Sequence, residues 1–122
     1  MIHGLGVIEC RGVELVITLG TGFGSCVFID GKAGPLELAH HPFRKGRTYE
    51  DCLGEVARKE AGNKRWNKRV RRAVTQMDAL FNYRQLYIGG GNVRYLEREG
   101  LPANIELVEN AAGLLGGIRL WQ

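Results

Sequence analysis

Three alternating glycines, Gly20, Gly22 and Gly24, interrupt the apolar stretch VITLGTGFGSCVFIDG. Glycines let a backbone approach an anion closely and turn its N–H groups toward it, and the hydroxyls of Thr21 and Ser25 add donors. A dinucleotide fingerprint or a P-loop would lead into a helix, whereas a strand-like segment follows here. The stretch therefore predicts either a phosphate-binding turn between two strands or a plain hairpin.

A second glycine cluster, Gly89, Gly90 and Gly91, ends the apolar segment QLYIGGG and leads into a segment with helical spacing. In open α/β sheets, ligands bind where strands end, and small residues leave room there for a flat base or a sugar. The same glycines also suit close packing of a helix on a strand. Both interpretations stay open on the pattern alone.

The third feature is the segment ELAHHPF, in which Glu37 and His40 are three residues apart and His41 is adjacent. A carboxylate and an imidazole together can hold two hydroxyls of a sugar or ligate a metal. A purely structural role is equally compatible with this short pattern.

Length and composition limit the classes of protein to consider. A chain of 122 residues is expected to form a single domain with one core. It has no apolar run near the ~20 residues of a membrane span and no signal-peptide pattern. Cys10, Cys26 and Cys52 are odd in number and far apart in sequence, which argues against CxxC metal pairs. We therefore expect a cytoplasmic protein with neither a disulfide framework nor zinc.

The net charge of +4 is concentrated in the segment NKRWNKRVRR, residues 63–72. Such a block can bind nucleic acid, polyphosphate or another polyanion. It is also typical of the solvated face of an amphipathic helix, because the apolar positions keep helical spacing. The basic residues concerned are Lys64, Arg65, Lys68, Arg69, Arg71 and Arg72.

The first half of the chain predicts strands. Residues 13–19 and 25–30 are rich in β-branched and aliphatic residues, and Asp30-Gly31 marks a turn after the second strand. Residues 35–43 predict a third, short strand that ends in an irregular loop at Pro42.

Helices and strands alternate after that point. We predict one helix over residues 47–62, with Thr48 as N-cap, Asp51 at the capping-box position and Gly62 as its end. A longer helix follows over 64–81, a strand over 85–91, a short helix over 92–99, a strand over 104–108 and a final helix over 110–121. The predicted apolar stripe of the long helix is Trp66, Val70, Ala73, Met77 and Leu80.

This order of elements predicts an α/β fold. Consecutive strands in the first half indicate an antiparallel meander, and alternating strands and helices in the second half indicate parallel crossovers. We expect a mixed sheet of about five strands with flanking helices.

The three features occur together and in the same order in one family. LVITLGTGFGSCVFIDG resembles the second phosphate loop of ROK-type sugar kinases (repressors, open reading frames and kinases), which include polyphosphate glucokinases. LELAHHPF resembles their E-x-G-H segment, LYIGGGNV their glycine-rich turn beside the nucleotide, and ENAAGLLGGIRL their terminal helix. The resemblance covers nearly the whole chain and implies an actin/hexokinase-like, ribonuclease H-like ATPase fold, in which phosphate lies at hairpin turns.

The resemblance also implies roles for individual residues. In such a kinase the phosphate-binding residues would be Gly20, Thr21 and Gly22, the sugar-binding residues would be Glu37, His40 and Glu50, and the nucleotide-binding residues would be Gly89, Gly90 and Gly91. Magnesium would accompany ATP or polyphosphate. Ala39 stands where the E-x-G-H segment has glycine, and the cysteine-rich zinc segment of the family is missing, as it is in the polyphosphate glucokinases.

A larger difference concerns the start of the chain. Members of the family begin with a D-x-G-G-T-like first phosphate loop and carry a catalytic aspartate in an Asn-Asp pair, and residues 1–10 contain neither. We therefore expect residues 1–122 to be the C-terminal lobe of a glucokinase-like protein, from a truncated or split gene, that does not phosphorylate sugar alone.

Two partner hypotheses follow from this expectation. An exposed face toward the missing lobe favours a homodimer or a second chain that supplies that lobe. The alternative is a non-catalytic protein that binds sugar, nucleotide or polyphosphate. We expect neither a nucleic-acid partner nor a membrane partner, because we find no helix-turn-helix pattern and no membrane segment.

Overall fold

The structure is a computed structural model, and it describes residues 12–108. The predicted final helix at 110–121 lies outside these residues. The described elements, in chain order, are β1 (Val13–Leu19), β2 (Phe23–Ile29), β3 (Lys32–Pro35), β4 (Pro42–Arg44), β5 (Arg47–Thr48), α1 (Tyr49–Leu53), α2 (Glu55–Ala61), α3 (Asn63–Phe81), β6 (Gln85–Gly89), a 3₁₀ helix (Gly91–Tyr95) and β7 (Ile105–Leu107).

A five-stranded mixed sheet forms the centre of the molecule, with strand order β3-β2-β1-β6-β7. The pairs β1–β2 and β2–β3 are antiparallel, whereas β1–β6 and β6–β7 are parallel. The predicted combination of a meander, parallel crossovers and flanking helices is confirmed. Within the main sheet, the connection from β3 to β6 contains α1, α2 and α3, the α-helices of residues 12–108, and it allows β6 to lie parallel to β1.

The turn between β2 and β3 explains where the third strand lies. Asp30 and Gly31 have φ values of 49° and 82°, the two positive values of a tight hairpin turn. The chain therefore reverses at once, and Lys32 pairs with Ile29. The third strand, predicted over 35–43, is consequently Lys32–Pro35, and the prediction was wrong for the residues after it.

Residues 36–41 form an irregular loop that leads into a small separate hairpin of β4 and β5. Lys45 and Gly46 make its turn with φ values of 51° and 76°. Pro42 begins this hairpin rather than ending a strand of the main sheet, in keeping with the preference of proline for strand starts and edges.

The region predicted as one helix over 47–62 is two helices. Thr48 caps α1, and the reciprocal hydrogen bonds between Thr48 and Asp51 confirm the predicted capping box. Gly54 then adopts an extended conformation with ψ of 170°, which ends α1 and begins α2. Gly62, with φ of 88°, ends α2 as predicted and directly precedes α3.

Helix α3 provides the main helical face of the core. Trp66, Val70, Ala73 and Met77 are buried as predicted, and the Trp66 indole donates to the backbone carbonyl of Leu53 at 3.0 Å. Leu80 was wrongly placed on this stripe: it is 65% exposed. Val74 is buried instead. It lies four residues after the buried Val70, so the 3.6-residue period of the helix places both residues on the buried face.

The second half of the sheet is shorter than the sequence pattern indicated. Strand β6 ends at Gly89 rather than residue 91, and the helix predicted over 92–99 is a 3₁₀ helix limited to Gly91–Tyr95. Strand β7 covers the central three residues of the predicted 104–108.

Among residues 12–108, no helix has the length and apolarity needed to cross a membrane.

A polar cluster lies within the sheet. Glu14 of β1 is fully buried, and its Oε2 accepts hydrogen bonds from the Tyr87 hydroxyl at 2.8 Å and from Arg84 at 2.9 Å. Burial raises the pKa of Tyr87, which keeps this phenol protonated and able to donate. The cluster fixes the register of β1 against β6, which the apolar pattern of these strands does not define by itself.

Candidate functional site

The two glycine clusters meet at the carboxyl ends of β1 and β6. Thr18 and Gly89 are the last partners of this parallel pair. Gly90 then passes so close to β1 that a Cβ on it would lie 2.5 Å from the carbonyl oxygen of Leu19. We call this region, residues 20–22 and 89–92, the glycine edge.

The first cluster forms a three-residue turn. Leu19 and Phe23 are the last pair of the β1–β2 ladder, and the N–H of Gly20 donates to the carbonyl of Gly22 at 3.1 Å. Thr21 is exposed at the tip of the turn. Within residues 12–108, the N–H groups of Thr21 and Gly22 have no hydrogen-bond partner. Two amides and one hydroxyl are therefore available to an anion.

Glu50 lies directly against this turn. Its Oε1 accepts a hydrogen bond from the backbone N–H of Phe23 at 3.2 Å, and a Cβ on Gly22 would lie 2.8 Å from the same oxygen. The capping box at Thr48 fixes the first turn of α1, which carries Glu50. The Thr48 N–H, which donates to the Asp51 carboxylate, lowers the pKa of Asp51 and keeps this cap charged.

Two residues, one in the glycine edge and one packed against it, were not found by sequence reasoning. Asn92 is buried, and its side-chain amide donates to the carbonyl of Gly20 at 3.2 Å, which ties the second cluster to the first. Gly54 packs beneath the turn, where a Cβ would lie 3.6 Å from the carbonyl of Thr21. An Asn directly after the GGG run was the one available indication, whereas nothing near Gly54 in sequence indicates its contact.

The loop that carries Glu37 and His40 is held against the start of α1. Ser25 does not point to the turn as a phosphate donor would, since its hydroxyl donates to the carbonyl of Leu36 and accepts from the N–H of Leu38. The carbonyl of Ala39, in turn, accepts from the N–H of Glu50 at 3.1 Å. The backbones of the two segments that carry the predicted sugar-binding residues are thus directly linked.

The side chains of Glu37 and His40 are both exposed. Neither forms a hydrogen bond or an ion pair with another residue of the described part of the chain. They are therefore available to a ligand.

Comparisons with known proteins place this arrangement in context. A scan against protein-family models found no match, and a search of curated proteins found none. Solved structures, in contrast, match well. An inorganic polyphosphate/ATP-glucomannokinase from Arthrobacter sp. strain KM superimposes with a TM-score of 0.75 and 28% identity, over 94% of this chain and 50% of that one.

Two more distant structures show the same fold. A ROK family protein from Streptococcus pneumoniae TIGR4, in complex with sucrose, has a TM-score of 0.62 and 14% identity over 91% of this chain. A ROK hexokinase from Thermus thermophilus has a TM-score of 0.55 and 17% identity over 96% of this chain. The chain has the fold of ROK-type sugar kinases. It spans 50% to 61% of the length of these three proteins.

Within this ROK-like fold, the Ala39 substitution is accommodated locally. Residues with positive φ in the described part of the chain do not include Ala39. A glycine is therefore not required at this position, and the alanine side chain is buried without forcing the loop into a left-handed conformation.

Metal ligands were a further possibility for the candidate site. Among residues 12–108, no group of three or more His, Cys, Asp or Glu side chains is arranged to hold a metal ion. Magnesium usually keeps several waters and is bound through one or two carboxylates together with substrate phosphates.

Proposed function

We propose that residues 1–122 form a single domain, the C-terminal lobe of a ROK-type sugar kinase with the ribonuclease H-like ATPase fold. The observation that carries this proposal is the meeting of two glycine clusters at the carboxyl ends of β1 and β6, beside a carboxylate. Similarity to a polyphosphate/ATP-glucomannokinase over 94% of the chain supports the same reaction class.

In this proposal the phosphoryl donor binds at the glycine edge. The Thr21 hydroxyl and the N–H groups of Thr21 and Gly22 hold phosphate oxygens, in the manner of a backbone nest. The backbone at Gly89, Gly90 and Gly91 forms the flat surface for the nucleotide when ATP is the donor. Magnesium bound together with the donor would neutralise charge on its phosphates.

The acceptor sugar binds on the neighbouring loop. Glu37 and Glu50 accept hydrogen bonds from sugar hydroxyls, and His40 donates or accepts one. The hydrogen bond from the Glu50 N–H to the Ala39 carbonyl joins the two segments that carry these side chains, which supports a shared site. A sugar on them is thereby oriented toward the donor, and such positioning is the larger part of catalysis in phosphoryl transfer.

Proton removal is assigned to a group beyond these residues. A sugar kinase needs a base for the attacking hydroxyl and a second wall for its cleft. A further segment of the protein or a separate chain would supply both. A protein that binds sugar, nucleotide or polyphosphate without catalysis is the alternative, and it differs in showing ligand binding without phosphate transfer.

Thermal unfolding of the full chain tests the proposal. A ligand at about one hundred times its Kd stabilises the folded state by ~2.7 kcal/mol, which raises Tm by several degrees. Glucose, MgATP and polyphosphate are added separately, and we expect at least glucose to raise Tm. The substitution His40→Gln should abolish the glucose effect, whereas His41→Gln, at the exposed adjacent position, should leave it unchanged.

Other outcomes have distinct meanings. If glucose still raises the Tm of the His40→Gln variant, the assignment of the sugar site to this loop is wrong. The absence of any effect from glucose and MgATP would contradict the proposed function. Ligand binding with no sugar phosphate formed, even after a complementary lobe is added, would favour the non-catalytic alternative.

A further inference from the structure

Two amide side chains of α3 contact different segments of the chain. Asn67 is 2% exposed, and Gln76 is half-buried. They lie nine residues apart, which is about 13 Å along the helix axis. A buried amide has a donating end and an accepting end, and both need partners. The partners of these two side chains therefore show which part of the molecule each of them holds.

Asn67 is bonded to the segment that follows the glycine edge. Its Nδ2 donates to the carbonyl of Tyr95 at 2.9 Å, and its Oδ1 accepts from the N–H of Glu97 at 2.7 Å. Its Nδ2 also donates to the carbonyl of Asn63 within α3, at 2.8 Å. Every partner is a main-chain group, so this amide fixes the path of the backbone at residues 95–97 on α3.

The same segment is held from α2 by Arg58. Its guanidinium carbon lies 3.8 Å from the centre of the Tyr95 ring, a cation–π distance, and its Nη1 donates to the Asn63 side chain at 3.1 Å. Arg58 is 8% exposed, and within residues 12–108 it forms no ion pair. A buried cation without a carboxylate depends on such contacts. Tyr95 is thus held by two helices.

These contacts act on the glycine edge through the 3₁₀ helix. This helix covers Gly91–Tyr95, and a 3₁₀ helix of five residues has little stability of its own. Near its start the Asn92 side chain donates to the carbonyl of Gly20, and at its end the Tyr95 carbonyl accepts from α3. Because both ends are held, the backbone at residues 89–91, the surface proposed for the nucleotide, has a fixed orientation.

Gln76 is bonded to the opposite half of the candidate site. Its Nε2 donates to the carbonyl of Phe43 at 3.1 Å, and its Oε1 accepts from the Tyr49 hydroxyl at 3.1 Å. Burial raises the pKa of Tyr49, so the phenol stays protonated and able to donate. Tyr49 directly precedes Glu50, and its N–H donates to the carbonyl of His41 at 3.1 Å. Gln76 therefore holds the start of α1 together with the end of the proposed sugar loop.

From these contacts we infer that Asn67 is a positioning residue for the donor half of the site and that Gln76 is one for the acceptor half. The two halves are those of the proposed function, and the inference rests on it. Within residues 12–108, the side-chain hydrogen bonds of Asn67 do not extend to residues 36–50, and those of Gln76 do not extend to residues 89–97. Helix α3 thus holds the two halves separately, through side chains that are not themselves proposed ligands.

Ligand affinities of the full chain test the inference, measured by calorimetry with MgATP and with glucose. Asn67→Ala and Gln76→Ala are matched variants, because each removes one amide from the same helix. We expect Asn67→Ala to bind MgATP at least about fivefold more weakly and glucose less than about twofold more weakly, and Gln76→Ala to show the reverse. Each variant is thereby the control for the other.

Hydrogen exchange separates positioning from a general loss of stability. Exchange without ligand should become faster mainly at residues 91–97 in Asn67→Ala and mainly at residues 43–50 in Gln76→Ala. Equal weakening of both ligands in both variants would show a purely structural role and would overturn the inference. Unchanged affinity of each variant for the ligand assigned to it would overturn the inference as well.

Two other variants keep the test decisive if an alanine variant does not fold. Arg58→Met removes the charged contact with Tyr95 from a different helix and should also weaken MgATP binding alone. Gln76→Glu keeps the acceptor for the Tyr49 hydroxyl and loses only the donor to Phe43. It should therefore weaken glucose binding alone, and by less than the alanine variant.

The wild-type chain distinguishes failure of this inference from failure of the proposed function. If it binds neither glucose nor MgATP, the proposed function is contradicted and the inference falls with it. If it binds both and the two alanine variants lose both equally, the proposed function stands and the positioning roles do not. Binding of glucose without MgATP would overturn the role of Asn67 alone.

Discussion

The two glycine clusters look alike in sequence, but different atoms occupy the space that a side chain would fill in each. At Gly22 and Gly24 the space that a side chain would fill is taken by side-chain oxygens, those of Glu50 and Thr18. At Gly90 it is taken by the backbone of Leu19. The first cluster therefore admits functional groups to the turn, whereas the second allows two main chains to approach.

Because of this difference, we expect the first cluster to affect ligand binding and the second to affect folding. Side-chain ends can move aside when a Cβ is introduced, but a backbone within a buried strand cannot. Substitutions in the first cluster should thus change what the turn binds, and substitutions at Gly90 should change whether the sheet forms. Asn92, which joins the clusters, should fall between these cases.

The largest effect is expected from Gly90→Ala. The new Cβ would lie 2.5 Å from the Leu19 carbonyl oxygen, at a residue whose φ is +99°. Overpacking and left-handed strain together should lower the free energy of unfolding by about 3 kcal/mol or more. Chemical denaturation measures this loss of stability. In Gly91→Ala, where no atom lies within 4 Å, the change should stay within about 0.5 kcal/mol, and equal losses in the two variants would contradict the comparison.

Gly24→Ala should have the next largest effect. Its Cβ would collide with the Thr18 hydroxyl across the β1–β2 pair, at a cost of about 1–3 kcal/mol. Adding Thr18→Ala removes that oxygen and should restore most of the loss. A double-mutant cycle measures the coupling, which should exceed about 1 kcal/mol. Gly34→Ala, with its nearest contact at an ordinary 3.6 Å, serves as the control for alanine in a strand.

Asn92→Ala should have an intermediate effect. It removes the donor to the Gly20 carbonyl at a buried position, and the lost hydrogen bond should cost about 1–2 kcal/mol. Hydrogen exchange should also show faster opening around residues 20–22. No change in either measurement would mean that the two clusters are not energetically joined.

Gly22→Ala should have the smallest effect on stability, below about 1 kcal/mol, because the Glu50 side chain can swing away. That movement would break its hydrogen bond to Phe23 and displace a proposed sugar ligand. Any glucose-induced rise in Tm should therefore shrink more than the stability itself. Gly20→Ala, with open space around its Cβ, should keep the glucose effect.

Much of the fold was predictable because its determinants are local. The β-branched runs of β1 and β2, the Thr48 cap and the Gly62 stop all act within a few residues. The single helix predicted over 47–62 was wrong because its break depends on Gly54, whose burial beneath the turn is a tertiary contact. The predicted burial of Leu80 was wrong for a related reason. Helical spacing predicts which residues share one face of a helix, but not at which residue the core stops covering that face.

The parts of the candidate site were visible as sequence patterns, whereas the contacts that bring them together were not. The glycine clusters and the Glu37–His40 pair were visible as patterns, since each lies within a short stretch of sequence. The contact of Glu50 with Phe23, 27 residues away, and that of Asn92 with Gly20, 72 residues away, required the folded chain. No local rule connects residues at such separations.

The 72-residue separation between Gly20 and Asn92 also bears on the order in which the molecule forms. The β1–β2–β3 meander closes through short turns and can form early, whereas β6 reaches β1 only after three helices have been made and packed. Contacts between distant residues cost more chain entropy and slow folding. During synthesis the turn at residues 20–22 therefore emerges and closes well before Asn92 forms its hydrogen bond to Gly20, so the glycine edge is completed late in folding.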